Sequence, residues 1–133
     1  MYGWRPPSDA GDTRPHWSVA SIHRSAQAFE AAVAASPDGT MAVMWYDFTG
    51  DRPGDGEVTT ETWVARSSGG GHWKLTQLGA PFDILSVPST AEQPTGDFQS
   101  LVPMRNGFEA AFTMANKPDA ETGPTDIFAA AAP

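Results

Sequence analysis

Cysteine is absent from this 133-residue chain, so neither disulfides nor thiolate metal sites are available to it. Basic residues are scarce: eight Lys and Arg against sixteen Asp and Glu give a formal net charge of −8. This balance argues against a nucleic-acid partner and against binding to an anionic membrane. No apolar run approaches the roughly 20 residues that a membrane-spanning helix needs. The first fifteen residues lack the apolar core of a secretion signal, so we expect an extracellular location only if the chain belongs to a secreted parent.

The hydrophobic, glycine and proline contents are typical of a folded domain with many turns. Hydrophobic residues make up 40% of the chain and include five tryptophans, which is enough to build a packed core. Thirteen glycines and twelve prolines favour numerous turns over long helices. The length predicts one ordinary domain or a piece of a larger one.

The stretch FEAAVAASPDGTMAVMWYD, Phe29 to Asp47, is ambiguous between a helix and a β-hairpin. Its alanine-rich first half has high helix propensity, yet such a helix must end before Pro37 and would have no polar face beyond Glu30. Asp38-Gly39 is a strong hairpin signal, and the runs on either side of it are apolar on both alternating faces. We therefore predict two paired strands that are covered on both sides.

The hairpin pattern recurs 68 positions later, where Asn106-Gly107 takes the place of Asp38-Gly39. Two similar strand-like runs, ETWVARS and DIFAAAA, each follow a long polar stretch. A repeated β unit with regular strand spacing predicts stacked β structure. After an irregular segment over residues 1–15, we predict eight strands at about 17–23, 29–36, 40–47, 58–66, 72–78, 98–104, 107–114 and 125–131.

These residues resemble the closing blades of sialidase-like (BNR-repeat) β-propeller proteins. The order MAVMWYDFTGDRPGDG, TWVARSSGGGHW, APFDI, PTGDFQSL and TDIFAAA carries the resemblance, from about Gln27 to Ala132. The Asp box of that family, Ser-x-Asp-x-Gly-x-Thr-Trp, corresponds to RSSGGGHW, in which Gly70 and Trp73 are kept. The box is degenerate, because its Ser, Asp and Thr positions hold Arg66, Ser68 and His72.

The resemblance implies an all-β fold of about two four-stranded antiparallel propeller blades. One blade would span residues 28–79, and the second would span residues 96–132 and be completed by the strand at 17–23. Two blades do not close a ring of the usual four to eight. We therefore expect either the remainder of a larger propeller or a unit that forms homo-oligomers. In both cases the strand near Ile127 would pair with a strand like Val19–Ile22, from its own chain or a neighbour.

The resemblance also implies a glycan ligand and, for an enzyme, glycoside hydrolysis of the exo-sialidase type. Sialidases of this fold clamp the substrate carboxylate with three arginines and use an Asp acid/base with a Tyr–Glu nucleophile pair. Neither the arginine triad nor the Tyr–Glu pair maps onto this chain, so the catalytic residues are unknown. We expect a carbohydrate-related propeller portion that is not catalytic by itself. The alternative is a non-enzymatic binding or scaffold module that oligomerises through its blade edges.

Candidate ligand-binding residues lie in the acidic segment after the first hairpin and at the start of a later inner strand. They are Tyr46, Asp47, Arg52 and Asp97. The carboxylates of Asp47, Asp51 and Asp55 have the oxygen chemistry that calcium prefers, although their spacing is not that of an EF-hand. The alternatives are a solvated loop between strands and, for Asp97, a hydrogen bond to its own turn.

Histidine and tryptophan have two interpretations each. His16, His23 and His72 show no metal-ligand spacing and are expected at the surface or in the packing. Trp17, Trp45, Trp63 and Trp73 lie on or beside predicted strands, where they pack the sheets or offer a flat surface to a sugar ring.

Overall fold

The computed structural model describes residues 2–5, 16–23, 27–69, 71–87, 99–116 and 123–133. These residues form nine strands and one 3-10 turn, which confirms the all-β prediction. The strands are β1 (Tyr2–Arg5), β2 (His16–Val19), β3 (Phe29–Ala35), β4 (Thr40–Asp47), β5 (Thr59–Ser68), β6 (Lys74–Asp83), β7 (Ser100–Met104), β8 (Gly107–Ala115) and β9 (Thr125–Ala132). The 3-10 turn is Ile84–Ser86. Within the described ranges, no helix has the length and apolarity to span a membrane.

The alanine-rich run forms β3 and pairs antiparallel with β4, so the predicted pairing is confirmed. The prediction that the hairpin is covered on both sides is wrong for β3, where Val33 is 66% exposed. The pairing runs from Ala35↔Met41 to Ala32↔Met44, and a β-bulge separates it from Phe29↔Tyr46. Alanine favours a helix in isolation because it loses little side-chain entropy there. Here β4 is buried along most of its length. The hydrogen bonds and contacts that β3 gains by pairing with β4 outweigh the helix propensity of the β3 alanines.

Consecutive strands pair in both of the larger sheets, which are therefore antiparallel meanders. The four-stranded sheet has the order β3-β4-β5-β6, and the three-stranded sheet has the order β7-β8-β9. The two sheets start with comparable hairpins, as the 68-residue repeat predicts. The strands of a meander need only short connections, which suits the many turn residues of the chain.

The core lies between these two sheets, which pack face to face. Because side chains alternate along a strand, every second residue of β4 and β8 enters it. From these two central strands it receives Ala42, Met44, Tyr46, Phe108, Ala110, Phe112 and Met114. Flanking strands and the 3-10 turn add Val64, Leu78, Phe82, Ile84, Leu101 and Ala132. The largest contributors, such as Phe112, are almost completely removed from solvent.

Gly39 and Gly107 both have positive φ, at +85° and +143°, as the turns require. The two turns differ in length, however. Arg105–Asn106 is a two-residue connection between β7 and β8, whereas the β3–β4 connection takes residues 36–39. A Cβ at Gly107 would lie 2.6 Å from the carbonyl oxygen of Ala132, so glycine also permits the end of β9 to approach.

The N-terminal strands depart from the predicted arrangement. β2 pairs with β1 in a separate two-stranded sheet, from Tyr2↔Val19 to Arg5↔His16. β1 lies in the segment that we expected to be irregular, and β2 does not complete the three-stranded sheet as we expected of residues 17–23. A partner close in the sequence costs less loop entropy than one more than a hundred residues away. Among the described strands, none pairs with the second edge of β9, so its pairing with a neighbouring chain stays a prediction.

Candidate functional site

Asp47, the first predicted ligand-binding residue, is completely buried. Its Oδ2 accepts a hydrogen bond from Trp45 Nε1 at 2.9 Å, and its Oδ1 accepts from the backbone N of Thr49 at 3.0 Å. Both carboxylate oxygens are therefore used inside the fold. One orients the Trp45 ring and the other starts the loop after β4.

The other carboxylates of the acidic loop are held by separate backbone groups. Asp51 Oδ1 accepts from Thr59 N at 2.9 Å, and Asp55 Oδ1 accepts from Glu57 N at 3.1 Å. Asp47 and Asp55 each close a turn two residues long, whereas Asp51 holds the start of β5. The described residues contain no group of three His, Asp or Glu side chains that could hold a metal ion. These bonds favour the interpretation of this segment as a loop between strands over the calcium-binding one at Asp47, Asp51 and Asp55.

Tyr46 lies in the core, where it joins the two sheets. Its hydroxyl donates to Thr113 O at 2.6 Å and accepts from Thr113 N at 3.1 Å. Among the described residues the β7–β8 ladder ends at Ser100↔Ala111, and Tyr46 bonds the Thr113 backbone groups beyond that point. Burial raises the pKa of the Tyr46 phenol well above its usual range, so a nucleophilic phenolate does not form near neutral pH.

The two remaining candidates do not join a site in the described structure. Arg52 is exposed in the loop over residues 48–58. Asp97 lies outside the described residues. Ligand binding by these two residues stays a prediction.

Two clefts flank Arg66 at the end of the core where the turns gather, and we call them the Arg66 clefts. One, of about 280 Å³, opens between the β3–β4 and β7–β8 turns, and the other, of about 370 Å³, opens beside the β5–β6 turn. Arg66 and Thr40 line both clefts. The first is also lined by Ser36, Asp38, Arg105 and Phe108. The second is also lined by Ser67, Ser68, His72, Trp73 and Lys74.

Arg66 stands at the end of the core-facing side of β5. Its guanidinium lies over the ring of Phe108 in the opposite sheet, with 5.7 Å between Cζ and the ring centroid. Its Nε is buried and has no hydrogen-bond partner in the described part of the chain. Arg66 pairs directly with Lys74 across the β5–β6 ladder, so two cations project from one face of the sheet. Two basic side chains therefore lie together at this end of the core, in a chain whose formal net charge is −8.

The opposite face of the four-stranded sheet carries an aromatic cluster. Trp45 and Trp63 are direct cross-strand neighbours on β4 and β5. The His23 ring lies 6.1 Å from each of their ring centroids. His23 is therefore a packing residue, as one of its two interpretations predicted. The cluster also covers part of the second face of the hairpin.

Sequence reasoning missed the cation cluster of Arg66, Lys74 and Arg105. In the sequence, Arg66 was interpreted only as a substituted position of the Asp box. A signal was present, because the glycines at 69–71 predict a hairpin turn, which would place Arg66 and Lys74 on neighbouring strands. Arg105 reaches the same place only through the packing of the second sheet, which no local pattern predicts.

Comparison of the chain with family models, curated proteins and solved structures gives no match. The relation to sialidase-like propellers therefore stays a prediction that depends on motif order.

Proposed function

We propose that the chain is a non-enzymatic binding or scaffold module that assembles through its three-stranded sheet. The observation that carries this proposal is the outer face of that sheet, which points away from the core. Large apolar side chains on it are solvent-exposed: Ile127 is 80%, Met104 is 55% and Val102 is 47% exposed. The pairing register places Ala111, Ala129 and Ala131 on the same face, together with two polar residues: Glu109 opposite Val102 and Thr113 opposite Ile127. An apolar patch of this kind is typical of a protein–protein contact.

The partner that we propose for this face is a second copy of the chain. The outer edge of β9 offers backbone N–H and C=O groups beside Ile127, and an antiparallel edge can pair with its own copy about a two-fold axis. The alanines of β8 and β9 allow a second sheet to approach closely. Covering the apolar surface would stabilise the dimer by roughly 25 cal/mol for each Å² buried.

The packing between the two sheets supports this module over a place in a propeller ring. Successive blades around a ring axis are related by rotation, so the front of one contacts the back of the next. Here, residues related by the 68-position repeat, such as Ala42 with Ala110 and Met44 with Phe112, enter the same core. The face of the four-stranded sheet that enters the core is therefore the repeat equivalent of the face that the three-stranded sheet contributes. Two sheets related by a two-fold axis meet in the same way. This arrangement leaves the outer face of the three-stranded sheet for a partner.

The assembly is tested by replacing Ile127 with aspartate. We expect the wild-type chain to sediment as a dimer at micromolar concentration and Ile127→Asp to sediment as a monomer, because a charge beside the paired edge is costly to bury. The control is Leu85→Asp, which adds the same charge at a 64% exposed residue of the 3-10 turn and should remain dimeric. A wild-type chain that sediments as a monomer throughout this range would contradict the proposal.

A second candidate is a carbohydrate-related, sialidase-like propeller portion that binds a glycan without cleaving it. Trp73 supports it, because this half-buried aromatic lines the larger Arg66 cleft beside Ser68 and His72. Indole faces stack on the apolar faces of sugar rings. We expect a glycan bound on an array to be lost with Trp73→Ala and kept with Trp73→Phe, with no release of sialic acid. An array on which the wild-type chain binds no glycan would rule out this candidate.

A further inference from the structure

We propose that the Arg66 clefts bind a small molecule that carries an oxyanion, in the form of a phosphate, sulfate or carboxylate group. The first reason is the Arg66 side chain itself. Its Nε–H is buried without a hydrogen-bond acceptor among the described residues, and native proteins rarely leave such a donor unpaired. The Phe108 ring covers one side of the guanidinium, but a ring face does not replace the acceptor that Nε lacks. Arg66 lines both clefts, so an oxyanion in either one would meet its side chain, and a turn of the guanidinium would bring the covered Nε–H to that acceptor.

The second reason is the arrangement of charge. Arg66 and Lys74 are directly opposite each other on neighbouring strands, where like charges repel. Arg105, from the other sheet, lines the smaller cleft. Asp38 also lines it, with Oδ1 accepting hydrogen bonds from the Ser36 hydroxyl and the Thr40 N–H, and its charge offsets part of the positive charge of the smaller cleft. An anion between the cations would convert their repulsion into attraction, and a guanidinium binds such a group through two parallel hydrogen bonds.

The third reason is that uncharged hydrogen-bond donors line a cleft of suitable volume. Thr40 Oγ1 and Ser68 Oγ lie 3.3 Å apart and both line the larger cleft, where a hydroxyl can donate to an anion. The cleft volumes of about 280 and 370 Å³ suit a small molecule. Charge, unpaired donor and cavity therefore coincide at one place. This inference concerns the turn end of the core and does not depend on assembly through β9.

The test is a titration of the full chain with sodium phosphate, sulfate or acetate at constant ionic strength, followed by calorimetry and by amide NMR shifts. We expect saturable binding with shifts centred on the turns around Arg66. Arg66→Met keeps most of the side-chain stem, and Lys74→Gln changes an exposed residue; each should weaken binding about tenfold or more. Leu85→Asp changes the net charge by the same amount away from the clefts and should bind as the wild type does.

The pattern across the three salts identifies the group. Binding of phosphate and sulfate without acetate supports a tetrahedral oxyanion, and binding of acetate as well supports a carboxylate-accepting site. Circular dichroism shows that each variant is folded before it is compared. The proposal is overturned if no salt binds saturably. It is also overturned if Arg66→Met and Lys74→Gln both bind with wild-type affinity, since the attraction would then be non-specific.

Discussion

Replacing Phe112 with alanine is expected to lower the free energy of unfolding by about 3–5 kcal/mol. Phe112 is 1% exposed, projects from β8 into the core and stacks on Phe128 with 6.4 Å between ring centroids. Its removal loses the transfer free energy of the ring and leaves a cavity that two paired sheets cannot close without breaking their ladders. Small domains have only about 5–15 kcal/mol of total stability, so a large part of it depends on this one contact.

The same variant shows whether the two sheets unfold together. Trp45 and Trp63 lie on the four-stranded sheet, whereas Phe112 lies on the three-stranded one. If the core is one cooperative unit, urea unfolding followed by tryptophan fluorescence and by far-UV circular dichroism will shift to the same lower midpoint. Leu85→Ala, at an exposed side chain, serves as the control and should shift neither signal. A fluorescence midpoint that stays at the wild-type value would show that the sheets are independent.

The sequence predicted the fold wherever the information was local. The Asp38-Gly39 turn signal, with runs on either side that are apolar on both faces, predicted β3 and β4 against the helix propensity of alanine. The 68-residue repeat then placed β7 and β8 correctly. In β8 burial alternates along the strand, so a shift of one residue would move Phe108, Ala110 and Phe112 from the core to the outer face.

The N-terminal pairing and the packing of the sheets depend on contacts between distant residues. Nothing in Tyr2–Arg5 or His16–Val19 distinguishes a local partner from the edge of β9. The repeat also does not say which faces of the two units meet. The faces that meet are known from the residues that share the core, and no local pattern predicts that contact.

The candidate site was harder to predict because acidic residues have local uses. Asp47, Asp51 and Asp55 looked like ligands by residue type, but each accepts a hydrogen bond from a backbone N–H close to it in space. Aspartate is common in turns for this reason. The cations that do cluster, Arg66 and Arg105, come from different sheets. Their proximity is a property of the packed core and not of either strand.

The second large effect is expected from Tyr46→Phe, which should lower the free energy of unfolding by about 2–4 kcal/mol. The variant keeps the ring but removes the hydroxyl that bonds both Thr113 N and Thr113 O. Those two backbone groups would remain near the core without partners, and each unsatisfied group costs about 1–3 kcal/mol. Chemical denaturation measures the difference in the free energy of unfolding. The comparison requires that the dependence of this free energy on denaturant concentration has the same slope in the wild type and the variant.

Thr62→Val is the matched control, because Thr62 faces Tyr46 directly across the β4–β5 ladder. Its hydroxyl is buried and has no hydrogen-bond partner among the described residues, and the side chain is 1% exposed. Replacing this unsatisfied oxygen with a methyl group of similar size should leave the stability unchanged or raise it slightly. The two variants therefore remove one hydroxyl each from adjacent core positions with opposite expected results. If Tyr46→Phe costs no more than Thr62→Val, the hydroxyl of Tyr46 does not hold the two sheets together, and the packing of apolar side chains alone must do so.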